Sequence, residues 1–134
     1  MGPLPPDEGR AAAALAALDH RGPDARGTHR FETPDGRHGL LLHARLAIID
    51  LDRRADQPFA DGPLRLAFNG EIYDYRERRA ELEALGESFR TASDTEVLAR
   101  LLRLRGIDGL DACEGMWAFA AVDESTGELT LCRD

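Results

Sequence analysis

The residues best suited to chemistry in this chain are an Asn-Gly pair, one arginine between apolar strands and a few acids at element ends. Asn69-Gly70 has two readings. One is a type I′ hairpin turn, for which Asn-Gly is the strongest short signal. The other is a strand end that turns into a helix, since Tyr73 to Leu85 reads as helix rather than a second strand. In that setting a glycine lets its backbone N–H approach a ligand, and the asparagine amide adds a second donor. Two convergent neutral donors suit an oxyanion, the charge that develops when an amide is attacked. Arg45, just after His43, is either a salt-bridged residue or a planar fork for a carboxylate. Asp94 opens Ser93-Asp94-Thr95-Glu96, where an acid complements a helix dipole or accepts from an ammonium group; Glu71 adjoins the Asn-Gly pair. His20 lies beside Gly22-Pro23 and reads as structural more readily than as a base. His29 and His38 read as surface positions, and the 4 histidines are too scattered for a metal site. The two cysteines, Cys113 and Cys132, sit on apolar segments and read as small buried hydrophobes.

These residues belong to a chain of 134 residues with net charge −8 and 43% hydrophobic residues. That is a single domain, able to bury roughly two-thirds of its unfolded surface. The acidic balance argues against a nucleic-acid partner. All 17 cations are arginine, which excludes a P-loop lysine or a Schiff-base lysine within the chain. The longest apolar runs, such as Ala11 to Leu18, fall far short of the ~20 residues of a membrane span. Asp7 and Glu8 near the N-terminus do not suit a secretory signal. A soluble, cytoplasmic domain is expected.

The elements that must position these groups fall into blocks. Asp7 caps a helix over Ala11 to Leu18 that ends by His20 to Asp24. Strand character runs from Thr28 to Asn69, with a turn at Pro34-Asp35-Gly36, a strand over Gly39 to His43, a doubly buried strand over Leu46 to Leu51 and another over Leu64 to Phe68. Asp74 with Glu77, and Ser93 with Glu96, read as capping boxes for two helices ended by Gly86 and Gly106. Val97, Leu98, Leu101 and Leu102 line one face of the second. Met116 to Val122 and Glu128 to Leu131 form a final hairpin, with Trp117 and the phenylalanines as core candidates. Without alternating βα units, the expected class is α+β with antiparallel strands.

Several stretches together resemble the glutaminase domain of the glutamine-hydrolysing asparagine synthetases, a class II glutamine amidotransferase of the N-terminal-nucleophile (Ntn) superfamily. They are His20-Arg21-Gly22-Pro23-Asp24, His43 to Leu51, Phe68-Asn69-Gly70-Glu71-Ile72-Tyr73, Ser93-Asp94-Thr95-Glu96 and Gly115 to Ala120, with Gln57-Pro58 also in place. The resemblance runs in order from His20 to Asp134. It implies an αββα sandwich of antiparallel sheets and a glutamine site. Arg45 would hold the α-carboxylate of glutamine, Asp94 and Glu71 its α-amino group, and Asn69 and Gly70 would form the oxyanion hole. No metal or cofactor is implied here; ATP and Mg belong to the synthetase domain that amidates aspartate with the released ammonia.

The sequence departs from the family pattern at both ends. The family nucleophile is an N-terminal cysteine heading an apolar strand, whereas Met1 is followed by Gly2-Pro3-Leu4-Pro5-Pro6. Neither Cys113 nor Cys132 matches that position. Residues 1–134 are therefore expected to be a partial glutaminase domain, incomplete at both ends, inactive alone and working with a missing or separate synthetase domain. Asp74 stands where the family usually has Asn. An apolar sheet edge left unpaired would make the chain marginally stable, or drive it to homodimerise or aggregate. The alternative is a non-catalytic binding or scaffold module, as in β-lactam-forming and lasso-peptide cyclising relatives. Another class II amidotransferase fits the motifs less well.

Overall fold

A computed structural model describes all 134 residues as four layers: helix, sheet, sheet, helices. Helix α1 (Glu8–Leu18) starts where the Asp7 carboxylate accepts from the Arg10 N–H at 2.7 Å, and its alanines favour helix throughout. Gly22 follows in the exit loop, where a Cβ would stand 2.2 Å from the Ala44 carbonyl oxygen; only glycine fits there.

Strands β1 (Ala25–Glu32) and β2 (His38–Arg45) form a two-stranded antiparallel sheet, joined through Pro34-Asp35-Gly36 as expected. Leu15 of α1 packs on its outer side. On the other edge of β2, Gly2 exchanges backbone bonds of 3.0 and 2.8 Å with His38. Alternation along β2 directs the N–H and C=O groups of Leu40 and Leu42 to this same edge, where no backbone strand meets them.

The second sheet runs β3 (Phe59–Asp61), β4 (Leu64–Ile72), β5 (Gly115–Asp123) and β6 (Glu128–Arg133), antiparallel throughout. On its outer face Leu66, Phe68, Ile72, Phe119 and Ala121 pack with Leu98 and Ala99 of α3 (Asp94–Arg105). Each fully buried large apolar residue contributes roughly 1.5–3 kcal/mol. Helix α2 (Tyr75–Ala84) joins this layer through Leu82, packed on Val97 and Leu101. Between the sheets the seam is thinner: Phe31, Leu41 and Val122, with Ala67 and Ala120 beside them. Alanines in the middle of this seam leave space there. The final hairpin, the four buried phenylalanines and the apolar face of α3 match the sequence reading, whereas Trp117 and Phe89 are only half-buried.

Several expectations need correction. Leu46 to Leu51 is a loop, not a doubly buried strand: Leu46, Ile48 and Leu51 are 54%, 71% and 75% exposed. The loop folds its carbonyls inward onto Arg45, and Asp50 takes φ +58°, which breaks the extended course. Asn69-Gly70 is neither a hairpin turn nor a strand end, because β4 continues to Ile72 with both residues paired opposite Ala118 and Trp117. The short strand β3 has no sequence signal beyond the turn after it. Neither capping box closes. Asp74 makes no cap bond and instead accepts from the Glu114 N–H at 2.9 Å and pairs with Arg78. Ser93 does cap α3 by accepting from Thr95, but Glu96 turns away to bind the Arg90 and Thr91 amides.

Candidate functional site

β3 is short, and that shapes the site. Odd-numbered residues of β4 bond to β5, so the N–H and C=O groups of its even-numbered residues point toward β3. β3 stops pairing at Leu66, which leaves Phe68, Gly70 and Ile72 on a bare edge. Side chains take over most of these groups. The Gln57 Oε1 accepts from the Phe68 N–H at 2.6 Å, while its Nε2 donates to Thr95 Oγ1 at 3.3 Å. His43 Nε2 lies 3.0 Å from the Phe68 carbonyl oxygen. The Asp94 Oδ2 accepts from the Ile72 N–H at 3.2 Å. Gly70 alone keeps both N–H and C=O without a partner. A Cβ on Gly70 would lie 2.3 Å from the Met116 oxygen and 2.6 Å from the Trp117 Cα, so glycine is required for the strands to pair here.

The open edge borders a cleft of about 690 Å³ that reaches into the thin seam between the sheets. Asn69, Gly70, Glu71, Asp94, Arg45 and Arg21 all line it. Asn69 and Glu71, two residues apart, project from the inter-sheet side of β4. Asp94 is only 5% exposed, at the first turn of α3. Burial pushes its carboxyl above the usual value, outweighing the Ile72 and Thr95 amides that hold it down, and the Glu71 charge pushes the same way. Two acids facing one wall, one of them desolvated, form a site that a cation relieves.

Arg45 is 7% exposed at the end of β2. Its Nη1 donates to Asp56 Oδ1 at 2.9 Å and to the Asp52 carbonyl at 3.4 Å, and its Nη2 to the carbonyls of Asp50 and, at 3.4 Å, Ile49. Only Nε–H has no partner. The salt-bridged reading of Arg45 is thus what this state shows, with the 46–52 loop wrapped around the fork. The Arg21 guanidinium at the cleft wall has neither an ion pair nor a hydrogen bond; its motif, His20 to Asp24, assigns it no role, and only this lack of a side-chain partner in space singles it out. His43 likewise has no sequence signal of its own as a site residue.

The structure brings together all the site residues expected from sequence: Arg45, Asn69, Gly70, Glu71 and Asp94. His20 and both cysteines lie outside the cleft lining. Cys113 and Cys132 are half-buried against the helix-side core, and burial raises the Cys113 thiol's pKa, which disfavours the nucleophilic thiolate. No group of His, Cys, Asp and Glu side chains is arranged to hold a metal ion, and no helix is long and apolar enough to cross a membrane.

The antiparallel four-layer α+β sandwich is the fold expected from the sequence, with the cleft at its seam. Solved structures agree: the glutamine phosphoribosylpyrophosphate amidotransferase from B. subtilis superposes with a TM-score of 0.72 at 24% identity, over 90% of this chain and 33% of that one. The sequence family described as glutamine amidotransferase domain matches residues 3–134, and the chain belongs to it. Within that family the chain is 38% identical to asparagine synthetase [glutamine-hydrolyzing] 3 of Arabidopsis thaliana over 119 residues, 87% of this chain and 19% of that protein. It is also 39% identical over 123 residues to Amidase chry2 of Gibberella zeae, covering 90% of this chain and 18% of that protein. The chain thus spans about a fifth of the length of these curated relatives.

Proposed function

We propose that the cleft binds L-glutamine as the glutaminase portion of an asparagine synthase. The observation that carries this reading is the unpartnered Gly70 N–H on the bare edge of β4, beside the Asn69 amide. Those donors suit the side-chain carbonyl of glutamine as it gains charge. Asp94 and Glu71 receive the α-ammonium, relieving the desolvated acid. The α-carboxylate goes to Arg45, exchanging for the long contacts with the Ile49 and Asp52 carbonyls, with Arg21 as a second cation. In the intact, cytoplasmic enzyme the ammonia released here passes to a synthetase domain that amidates aspartate with ATP.

Hydrolysis needs a nucleophile; no cysteine lines this cleft, and its two hydroxyls, Ser93 and Thr95, accept from the Thr95 N–H and from Gln57 Nε2. Gly2 lacks a side chain and sits opposite His38, at the far end of β2 from the cleft. The register does suggest where a nucleophile belongs. A strand continuing upstream from Gly2 along the Leu40–Leu42 edge would reach Ala44, beside the cleft, after at least about six residues. We therefore read residues 1–134 as a partial domain that is inactive alone. Calorimetric titration of the chain with glutamine, glutamate and asparagine tests the site. Selective binding of glutamine is expected, and no binding of any of the three overturns the reading. Prefixing a strand that begins Met-Cys-Gly should then release glutamate from glutamine. A folded, glutamine-binding variant that still fails to hydrolyse favours a binding or scaffold module.

A further inference from the structure

We propose that His43 is a positioning residue for the Gly70 donor, acting through the Phe68–Asn69 peptide; this rests on the glutamine reading above. Beyond Leu66 the strand β4 has no neighbour on its β3 side, so nothing in the sheet ladder orients the peptides on either side of Asn69 from that edge. Gln57 holds the Phe68 N–H at 2.6 Å, but an amide held from one side can still tilt. His43 reaches across from the other sheet to the Phe68 carbonyl at 3.0 Å and holds the second half of that residue. With both groups of Phe68 engaged and the Ile72 N–H taken by Asp94 at 3.2 Å, Gly70 is the one even-numbered residue past β3 left with both groups free, and its flanks are held.

The imidazole suits this role. A carbonyl accepts only, so Nε2 carries the proton and Nδ1 is left as a bare lone pair. Nδ1 is buried without a partner in the cleft wall. Burial, with the neighbouring Arg45 acting in the same direction, outweighs the Phe68 bond and Asp56 and lowers the pKa of the ring, which favours its neutral form. A neutral ring holds the Phe68 carbonyl without placing a second positive charge beside Arg45. No other hydrogen bond joins the side chains of β2 to β4, so His43 also couples the two sheets at the level of the site.

The test compares His43→Leu, which cannot donate, with His43→Gln, whose amide nitrogen can reach the same carbonyl. Two readouts are taken on the full 134-residue chain: the ¹⁵N–¹H shift and hydrogen exchange of the Gly70 amide without ligand, and the Kd for glutamine. His43→Leu should move the Gly70 amide, speed its exchange and weaken glutamine about tenfold, with His43→Gln restoring both. An unmoved Gly70 amide in His43→Leu overturns the proposal whatever happens to affinity. So does failure of His43→Gln to restore it. Should the leucine variant not fold, His43→Asn, one bond too short to reach, replaces it in the same comparison. A wild-type chain that binds no glutamine while Gly70 responds as expected overturns the glutamine reading and leaves the positioning role standing.

Discussion

Replacing Asp94 with Asn should make the protein more stable and worse at binding. Asp94 is almost fully buried, and its carboxyl titrates above its unfolded value of 3.8 because desolvation outweighs the two amides it accepts from. A raised acid contributes stability that is whole below pH 3.8 and is lost as pH rises through the folded pKa. At pH 7 the charged form is therefore held at a cost of about 1.4 kcal/mol for every pH unit by which folding raises the carboxyl. Asparagine keeps an oxygen for the Ile72 N–H, at 3.2 Å in the wild type, and removes that cost. Loss of the carboxylate at the first turn of α3 takes back roughly 0.3–1 kcal/mol of helix-dipole stabilisation. The net expectation is a higher Tm at pH 7, with the advantage shrinking as pH falls toward 3.8. Binding goes the other way. A buried charge-assisted bond to an ammonium is worth about 1.5–3 kcal/mol, so glutamine affinity should fall roughly 10- to 150-fold. The assay is thermal denaturation from about pH 3.5 to 8, alongside calorimetry with glutamine. A destabilised variant at pH 7, or one that binds glutamine as tightly as wild type, refutes the account of Asp94 as a desolvated ammonium acceptor.

Other perturbations follow from the same geometry. Gly70→Ala forces a Cβ to 2.3 Å from the Met116 oxygen and should cost about 1–3 kcal/mol by denaturant titration, with glutamine binding lost. His43 titrates below its usual 6.5, so its contribution is whole above pH 6.5 and lost as pH falls through the folded pKa. His43→Gln should flatten that part of the stability–pH curve, and an unchanged curve would count against a neutral buried ring. Glu96 is 0% exposed and accepts from both the Arg90 and Thr91 amides and the Thr91 hydroxyl, so Glu96→Ala, which strands these donors, should cost about 1–3 kcal/mol in chemical denaturation. The uncovered Leu40–Leu42 edge of β2 should drive concentration-dependent self-association, seen by light scattering; a sharp, reversible, monomeric melt would count against an open edge.

Local chemistry carried much of this protein in the sequence itself. Turn residues at Pro34-Asp35-Gly36 and Asp123 to Gly127, glycine stops at Gly86 and Gly106, and the apolar face of α3 all act through neighbours in the chain. Such features are legible without a structure. The members of the site were legible too, but through resemblance of whole motifs rather than spacing, since Arg45, Asn69 and Asp94 come from separate elements. Tertiary contacts decided the rest. Leu46 to Leu51 has the composition of a buried strand, yet it pairs with no other strand, and a buried Arg45 draws its carbonyls inward. Asn-Gly carries a hairpin signal, but nine residues of register with β5 hold β4 straight through it. The chemistry of Gly70 depends on where β3 stops and on Gln57, His43 and Asp94 replacing a strand from three different elements. No window of sequence contains that arrangement, because an unsatisfied amide is defined by what fails to reach it in space.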